Sequence, residues 1–297
     1  MTCPSPRRTA IALLAGLVAA PVAAQEGAGP ADPQRATPRA TRAVPTARGG
    51  LDVVSRARDD RPRRFRVALG VQGGPGFPGN DAFRLGPLIS VAKARGEDPF
   101  PYGGVGDGPS LTLLRHGRFE AGPMLRLEGI RRADDLGGGL PRVTRSFEPG
   151  VFAQYWPSDA VRLRGDVRKG VTGHEGWVGT LAADYVARDG DAWLVSLGPR
   201  VTLSDARYQR AWFGVSPQTA ARTGLPVFSP GSGVYSVGLT SRVIYQFTPR
   251  WGVLANAGYA RLVGDAGDSP VTRVRGSRDQ LTGGLGLSYT FRVGGRR

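Results

Sequence analysis

Several residue types are nearly absent from this chain of 297 residues, and each absence excludes a class of protein. The only cysteine is Cys3, so disulfides do not hold the remainder together, and stability must come from hydrogen bonding and burial. Only two histidines, His116 and His174, are available as general bases. No run approaches the roughly 18 apolar residues that a membrane-spanning helix needs, which excludes a helical anchor.

The first residues carry the pattern of an export signal. Two arginines precede a short apolar stretch at 11–20, and small residues before Gln25 suit a cleavage site. We therefore expect a secretory signal peptide at 1–24. The segment 25–64 is rich in Pro, Ala, Arg and Thr without periodicity, which predicts a disordered periplasmic leader before a barrel at 65–297.

The charge is strongly unbalanced, with a net value of +16, and Lys93 and Lys169 are the only lysines among many arginines. Such a balance raises nucleic acid as a partner. Export would separate the protein from nucleic acid, so we expect none. Anionic lipid head groups and lipopolysaccharide phosphates of the outer membrane of a Gram-negative cell are the expected counter-charges.

From Phe65 onward, large apolar residues alternate with small or polar ones, and the segment 281–291 is the clearest case. This pattern predicts strands that are apolar towards lipid and polar towards an interior. The fold class expected is all-β, an antiparallel up-and-down transmembrane β-barrel of about 12 strands, with 10 as the fallback. The strands are predicted at 65–75, 83–94, 98–105, 109–116, 118–130, 145–156, 159–171, 177–188, 191–205, 232–247, 250–264 and 279–293.

The connections support the same fold, because tight turns alternate with longer loops at 131–144, 206–231 and 265–278. Short periplasmic turns and longer outer loops are typical of such barrels. Within one long loop, Ser216, Pro217 and Gly224 outline a short helix.

Charged residues of the strands fall almost wholly on the inward face, where they avoid lipid. The predicted interior network comprises Arg126, Glu128, Arg162, Arg164, Asp166, Arg168, Asp184, Arg200 and Arg242. The first interpretation is a set of structural salt bridges that fill the barrel. The alternative is a narrow anion-preferring pore.

The long outer loops are the second candidate site, because ordered long loops are often functional. The predicted interaction surface comprises Asp205, Tyr208, Trp212, Phe213, Asp265 and Asp268. Asp265 and Asp268 could also bind Ca²⁺, but two carboxylates are few, and loop capping is the favoured interpretation.

The motifs for catalysis are weak. The G-x-G-x-x-G string at 74–79 contains two prolines and precedes a strand, so it is read as a loop and not as a nucleotide site. A hydrolase that pairs His174 with Ser269 or Ser277 stays a minor alternative, without a G-x-S-x-G string. We expect a protein that is not an enzyme and has no catalytic residues, metal or cofactor.

A set of motifs in a fixed order resembles the MipA/OmpV family of outer-membrane proteins. They include Gly-His-Glu-Gly-Trp-Val-Gly at 173–179 and Gly-Leu-Gly-Leu-Ser-Tyr-Thr-Phe at 284–291. The others lie at 183–186, 197–200, 204–208, 212–215, 224–226, 262–270 and 276–280. The resemblance extends from about Arg66 to Phe291.

The resemblance implies a non-catalytic outer-membrane barrel. The founding member is similar to a scaffold that brings a lytic murein transglycosylase together with a murein synthase, and other members resemble surface adhesins. Those murein enzymes are the partners expected here, with the anion channel and the adhesin as alternatives. The chain departs from the family at Trp212 and in the extension 292–297 after Phe291, the residue that resembles the terminal recognition signal for barrel assembly.

Overall fold

The strands of this protein form one antiparallel sheet in a computed structural model that describes residues 52–53 and 61–294. The predicted signal peptide and most of the predicted leader lie outside the described residues. The strands are β1 (Asp52–Val53), β2 (Arg63–Pro75), β3 (Phe83–Arg95), β4 (Leu114–His116), β5 (Phe119–Glu128), β6 (Ser146–Tyr155), β7 (Val161–Lys169), β8 (Trp177–Asp189), β9 (Trp193–Ser204), β10 (Gly233–Gln246), β11 (Trp251–Leu262) and β12 (Asp279–Val293). The helices are α1 (Ala206–Phe213), α2 (Pro217–Thr223) and α3 (Gly264–Asp268), with a 3₁₀ turn at Asp135–Gly137 and a π-helical turn at Val271–Arg275.

The last strand pairs with the first long strand, which confirms the predicted closing contact of an up-and-down barrel. Along β12 and β2, Leu285 lies opposite Val71 and Phe291 lies opposite Phe65. The two phenylalanine rings stack with centroids 5.7 Å apart. Among the other long strands, β3 pairs only with β2, and the rest pair with the strands before and after them in the sequence. The antiparallel β-barrel predicted from alternation is therefore the observed fold.

The strand predicted at 98–105 is wrong. Residues 96–113 contain no strand, and only Ser110 forms a single bridge, to Met124 of β5. Pro99 and Pro101 have no backbone N–H to donate to a ladder, which explains why the apparent alternation does not become a strand. Residues 97–108 are named the lumenal segment below, because they cross the barrel interior.

The sheet still has twelve strands, because two residues of the predicted leader form a short strand, β1, beside β4. In β1, Asp52 lies opposite Arg115 and Val53 lies opposite Leu114 of β4. Because neighbouring strands alternate in direction around the sheet, β3 and β4 run the same way. β1 and β3 stand at the two ends of the strand order.

The two faces of the sheet differ in polarity, as alternation requires. Leu69, Leu85 and Ile89 are 61%, 74% and 68% exposed on the outer face. Inward side chains are mostly buried and polar or charged, apart from a small apolar cluster around Leu88 and Leu254. Across the described part of the chain, no helix has both the length and the apolar character needed to cross a bilayer.

The sheet curls so that distant strands meet across the interior. Arg64 of β2 and Asp191, just before β9, form an ion pair of 2.9 Å between Nη1 and Oδ2. Three strands separate β9 from β2 in the sheet order. Such a contact requires both side chains to point into a shared lumen.

Helices from the long loops pack over one end of the barrel. Their buried cluster comprises Phe77, Val143, Val178, Tyr208, Trp212, Phe213, Tyr235, Leu262 and Ala266. The predicted short helix is confirmed as α2, where the Ser216 side chain accepts from Thr219 N and Gly224 ends the helix with φ of 70°. We name these packed loops the helical cap.

Candidate functional site

Two arginines share one buried carboxylate inside the barrel. Arg162 on β7 lies opposite Asp184 on β8, and its Nε and Nη2 donate to Asp184 Oδ2 at 3.0 and 2.6 Å. Arg200 on β9 donates from Nη2 to Asp184 Oδ1 at 2.6 Å. The Arg162 and Asp184 side chains are each 1% exposed. Charges so far from bulk water are tolerated only when they are paired and hydrogen-bonded.

A second cluster lies nearer the helical cap. Arg168 donates from Nε to Glu148 Oε2 at 3.0 Å and from Nη1 to Asp166. The other oxygen of Glu148 lies 2.8 Å from His174 Nε2. The backbone N–H of Gly176 donates to His174 Nδ1 at 3.0 Å, which leaves the ring proton on Nε2, facing Glu148. His174 therefore ties its loop to the charged interior.

The serines proposed as partners of His174 have other roles in the described residues. Ser269 Oγ donates to the carbonyl of Phe213 at 2.6 Å and accepts from Val271 N. Ser277 Oγ donates to the carbonyl of Asp279 at 3.0 Å. These bonds hold loops in place, so the hydrolase alternative gains no support from the geometry.

The lumenal segment is bound to the barrel wall through its aromatic residues. The Phe100 ring lies under the guanidinium groups of Arg64 and Arg66, at 5.0 and 4.3 Å from its centroid. Tyr102 donates to Ser196 Oγ at 3.0 Å. The two cation–π contacts of Phe100 are stronger for being removed from water, since Arg64, Arg66 and Phe100 are all buried.

Asp107 fixes the far part of this segment. It accepts from Arg162 Nη1 at 2.7 Å and from Gly104 N at 2.8 Å, and Arg164 Nε lies 3.7 Å away. The geometry places the Asp107 carboxyl among two guanidinium groups and a backbone N–H, so it binds the lumenal segment to the wall.

The rest of the predicted network also faces the interior. Arg126 lies 3.9 Å from Glu128 and donates to the carbonyl of Gly106 at 3.2 Å. Arg242 donates to Asn256 Oδ1 at 2.9 Å and to the carbonyl of Gly103. The predicted residues therefore contact the lumenal segment, which supplies the carboxylate of Asp107 and backbone carbonyls to the arginines.

The predicted loop surface needs a correction. Tyr208, Trp212 and Phe213 are fully buried in the helical cap, so they are its core and cannot contact a partner. Their apolar area is removed from water by packing against one another. A loop surface for adhesion would have to use other residues.

The three aspartates of that predicted surface stabilise loops. Asp205 caps α1 by accepting from Tyr208 N at 2.8 Å. Asp265 accepts from Gly231 N at 2.7 Å, and Asp268 pairs with Arg278 at 2.6 Å. In the described residues, no group of three or more metal-ligating side chains forms around them.

Arg131 is a buried residue of the cap that sequence reasoning missed. Its Nη1 and Nη2 donate to the carbonyls of Trp212 and Ala211 at 2.6 and 2.7 Å, at the C-terminal end of α1. A cation there satisfies unpaired helix carbonyls and favours the helix dipole. Burial lowers the pKa of the Arg131 guanidinium to about 10, and Asp135 partly opposes the shift.

These features define a class of protein, an up-and-down β-barrel whose charged interior is crossed by its own chain and whose loop end is covered by packed helices. The chain belongs to the family described as MltA-interacting protein MipA, whose model matches residues 67–291. A comparison with curated proteins finds no match.

Solved structures with a similar arrangement are outer-membrane proteins of low identity. An outer membrane channel from Pseudomonas putida F1 is 12% identical, with 79% of this chain and 97% of that chain covered and a TM-score of 0.39. Ail, the attachment invasion locus protein of Yersinia pestis, is 8% identical, with 78% of this chain and 100% of that chain covered and a TM-score of 0.20. TM-scores this low do not assign a function to the chain.

Proposed function

We propose that this protein is a non-catalytic outer-membrane barrel that holds murein-synthesising and murein-cleaving enzymes together. The observation that carries the proposal is membership of a family described as interacting with MltA. The outward belt of exposed leucine, isoleucine and valine side chains supports a position in lipid, because such an apolar surface is unfavourable in water. Outer-membrane lipid and lipopolysaccharide are then its surroundings.

The barrel interior supports a scaffold more than an open passage. The lumenal segment crosses the interior, where Asp107 and the aromatic residues Phe100 and Tyr102 bind the wall. The helical cap covers the long-loop end of the barrel with a buried apolar cluster. A barrel filled in this way offers its surfaces, and not its lumen, to partners.

Murein enzymes act in the periplasm, and short turns of such barrels face that side. The surface in question therefore includes the turns around Arg118 and Arg250, which are both exposed. Arg142 and Arg145 are exposed at the opposite, long-loop end and serve as a matched control. Both pairs change the net charge equally when replaced by glutamate.

The test is recovery of murein enzymes with the tagged full chain from solubilised envelopes, quantified by mass spectrometry. We expect a lytic transglycosylase and a murein synthase to co-purify. Replacement of Arg118 and Arg250 by Glu should reduce recovery, and replacement of Arg142 and Arg145 should not. Failure to recover either enzyme class with the unmodified chain contradicts the scaffold.

Anion conduction is the second candidate, favoured by the arginine-rich lining of the interior. Arg162, Arg168 and Arg200 are paired with carboxylates, whereas Arg164 is only partly paired. A passage would require displacement of the lumenal segment. Recording of single-channel currents therefore separates this candidate from the scaffold.

A further inference from the structure

A cavity of about 230 Å³ lies inside the barrel, between the end of the lumenal segment and the wall. Its charged lining consists of Arg126, Arg164, Arg168, Arg200, Asp107 and Asp166. Hydroxyl groups of threonines on the surrounding strands complete much of the wall. The volume corresponds to several water molecules and is smaller than the roughly 300–1,000 Å³ of pockets for drug-sized ligands.

Arg164 is the unusual member of this lining. Its Nη1 donates to Gln154 Oε1 at 3.1 Å, and its guanidinium lies over the Phe152 ring at 4.1 Å. Its Nε and Nη2 are buried and have no hydrogen-bond partner among the described residues. The nearest carboxylate oxygen, Asp107 Oδ1, is 3.7 Å from Nε and therefore beyond hydrogen-bond distance, while Arg162 binds the other oxygen, Oδ2.

Unsatisfied donors of a buried cation are unfavourable, and native proteins rarely keep them without a ligand or water. The carboxylates of the lining do not supply the missing acceptor. Asp166 is bound by Arg168, and Asp107 accepts from Arg162 and Gly104 through Oδ2, whereas its Oδ1 is too far from Arg164 Nε for a hydrogen bond. The cavity therefore has guanidinium donors directed into it and lacks a protein acceptor for those of Arg164.

We propose that this cavity is a binding site for a small oxyanion, with Arg164 as its main ligand and neighbouring threonine hydroxyls such as Thr180 and Thr202 as further donors. Oxygens of a phosphate or a carboxylate suit the planar donor fork of arginine. The cavity volume of about 230 Å³ is sufficient for a small anion of this kind. The site is independent of the murein role, since it lies within the lumen.

The experiment is calorimetric titration of the full chain in detergent with sodium phosphate, and in a parallel arm with sodium acetate, at constant ionic strength. We expect saturable binding in at least one arm, and the stronger arm identifies the anion type. Arg164→Gln should weaken that binding at least tenfold, because it removes a charged donor fork from the anion.

Arg207→Gln is the matched control, because Arg207 is an exposed arginine that pairs with Glu175 outside the cavity. It should bind the anion as the unmodified chain does. Arg164→Lys keeps the charge without the fork and should weaken binding to an intermediate extent, which provides a test if Arg164→Gln does not fold. Absence of saturable binding in both arms, or equal binding by the unmodified chain and the Arg164 variants, overturns the proposal.

Discussion

At the scale of single residues, the interior contains arginines with very different surroundings. Arg162 makes hydrogen bonds to two carboxylates, Asp184 and Asp107, whereas two nitrogens of Arg164 have no hydrogen-bond partner in the described part of the chain. Alternation in the sequence was sufficient to place both residues inside the barrel. It could not distinguish them, because a partner on the next strand depends on register, and Asp107 is not on a strand.

We expect Arg162→Gln to destabilise the barrel by about 3–5 kcal/mol, because it leaves Asp184 and Asp107 less well compensated in a buried site. Urea unfolding in lipid vesicles, followed by the heat-dependent shift on gels, measures the change. Arg115→Gln is the control, since Arg115 pairs with Glu120 at the exposed turn end and should unfold as the unmodified chain does. Equal unfolding of both variants would contradict the importance of the buried pair.

At the scale of elements, the lumenal segment is the part for which the sequence pattern predicts the wrong structure, a strand at 98–105. The residues Phe100, Pro101, Tyr102 and Gly103 alternate as a strand would, so periodicity predicted one. The segment instead lies in the lumen because it contacts arginines of four strands that are distant in the sequence, β2, β5, β7 and β10. A local pattern contains no information on such partners. The helix α2, by contrast, was predictable because its capping residues, Ser216 and Gly224, stand immediately before and after it in the sequence.

Asp107→Asn tests whether this segment closes the barrel. Loss of the carboxylate charge should release the segment from Arg162 and Arg164 and give measurable conductance in planar bilayers, where we expect none from the unmodified chain at pH 7. Asp98→Asn, which alters an exposed pair with Arg61, should stay closed. Identical records from Asp107→Asn and the unmodified chain would show that other contacts hold the segment.

At the scale of the whole molecule, the sheet depends on the contact between its last strand and its first long one. The predicted importance of Phe291 agrees with its position opposite Phe65, but β12 continues through Arg292 and Val293, which pair with Arg64 and Arg63. The strand therefore extends past the aromatic residue, which confirms the bounds 279–293 predicted from alternation. The end of β12 is set by its ladder with β2, whose last pair is Val293 with Arg63.

We expect Phe291→Ala to impair barrel assembly, because it removes stacked contacts with Phe65 and Tyr289, each worth about 0.5–1.5 kcal/mol beyond buried area. Deletion of 292–297 should leave assembly intact. The yield of folded, heat-modifiable protein in membranes measures both. Val293→Ala is the matched control, because Val293 is also exposed on β12. Failure of the deletion alone would mean that the last ladder pairs, and not Phe291, complete the barrel.

The shared direction of β3 and β4 explains why the interior is crossed at all. After Arg95, the chain must return to the opposite end of the barrel before it can run down again as β4. A return path through lipid would leave backbone groups unpaired, so the only favourable route is inside. Twelve residues can extend about 40 Å, enough for one ascent. The segment is thus joined to the wall strands at both ends, so its covalent connections confine it to the lumen.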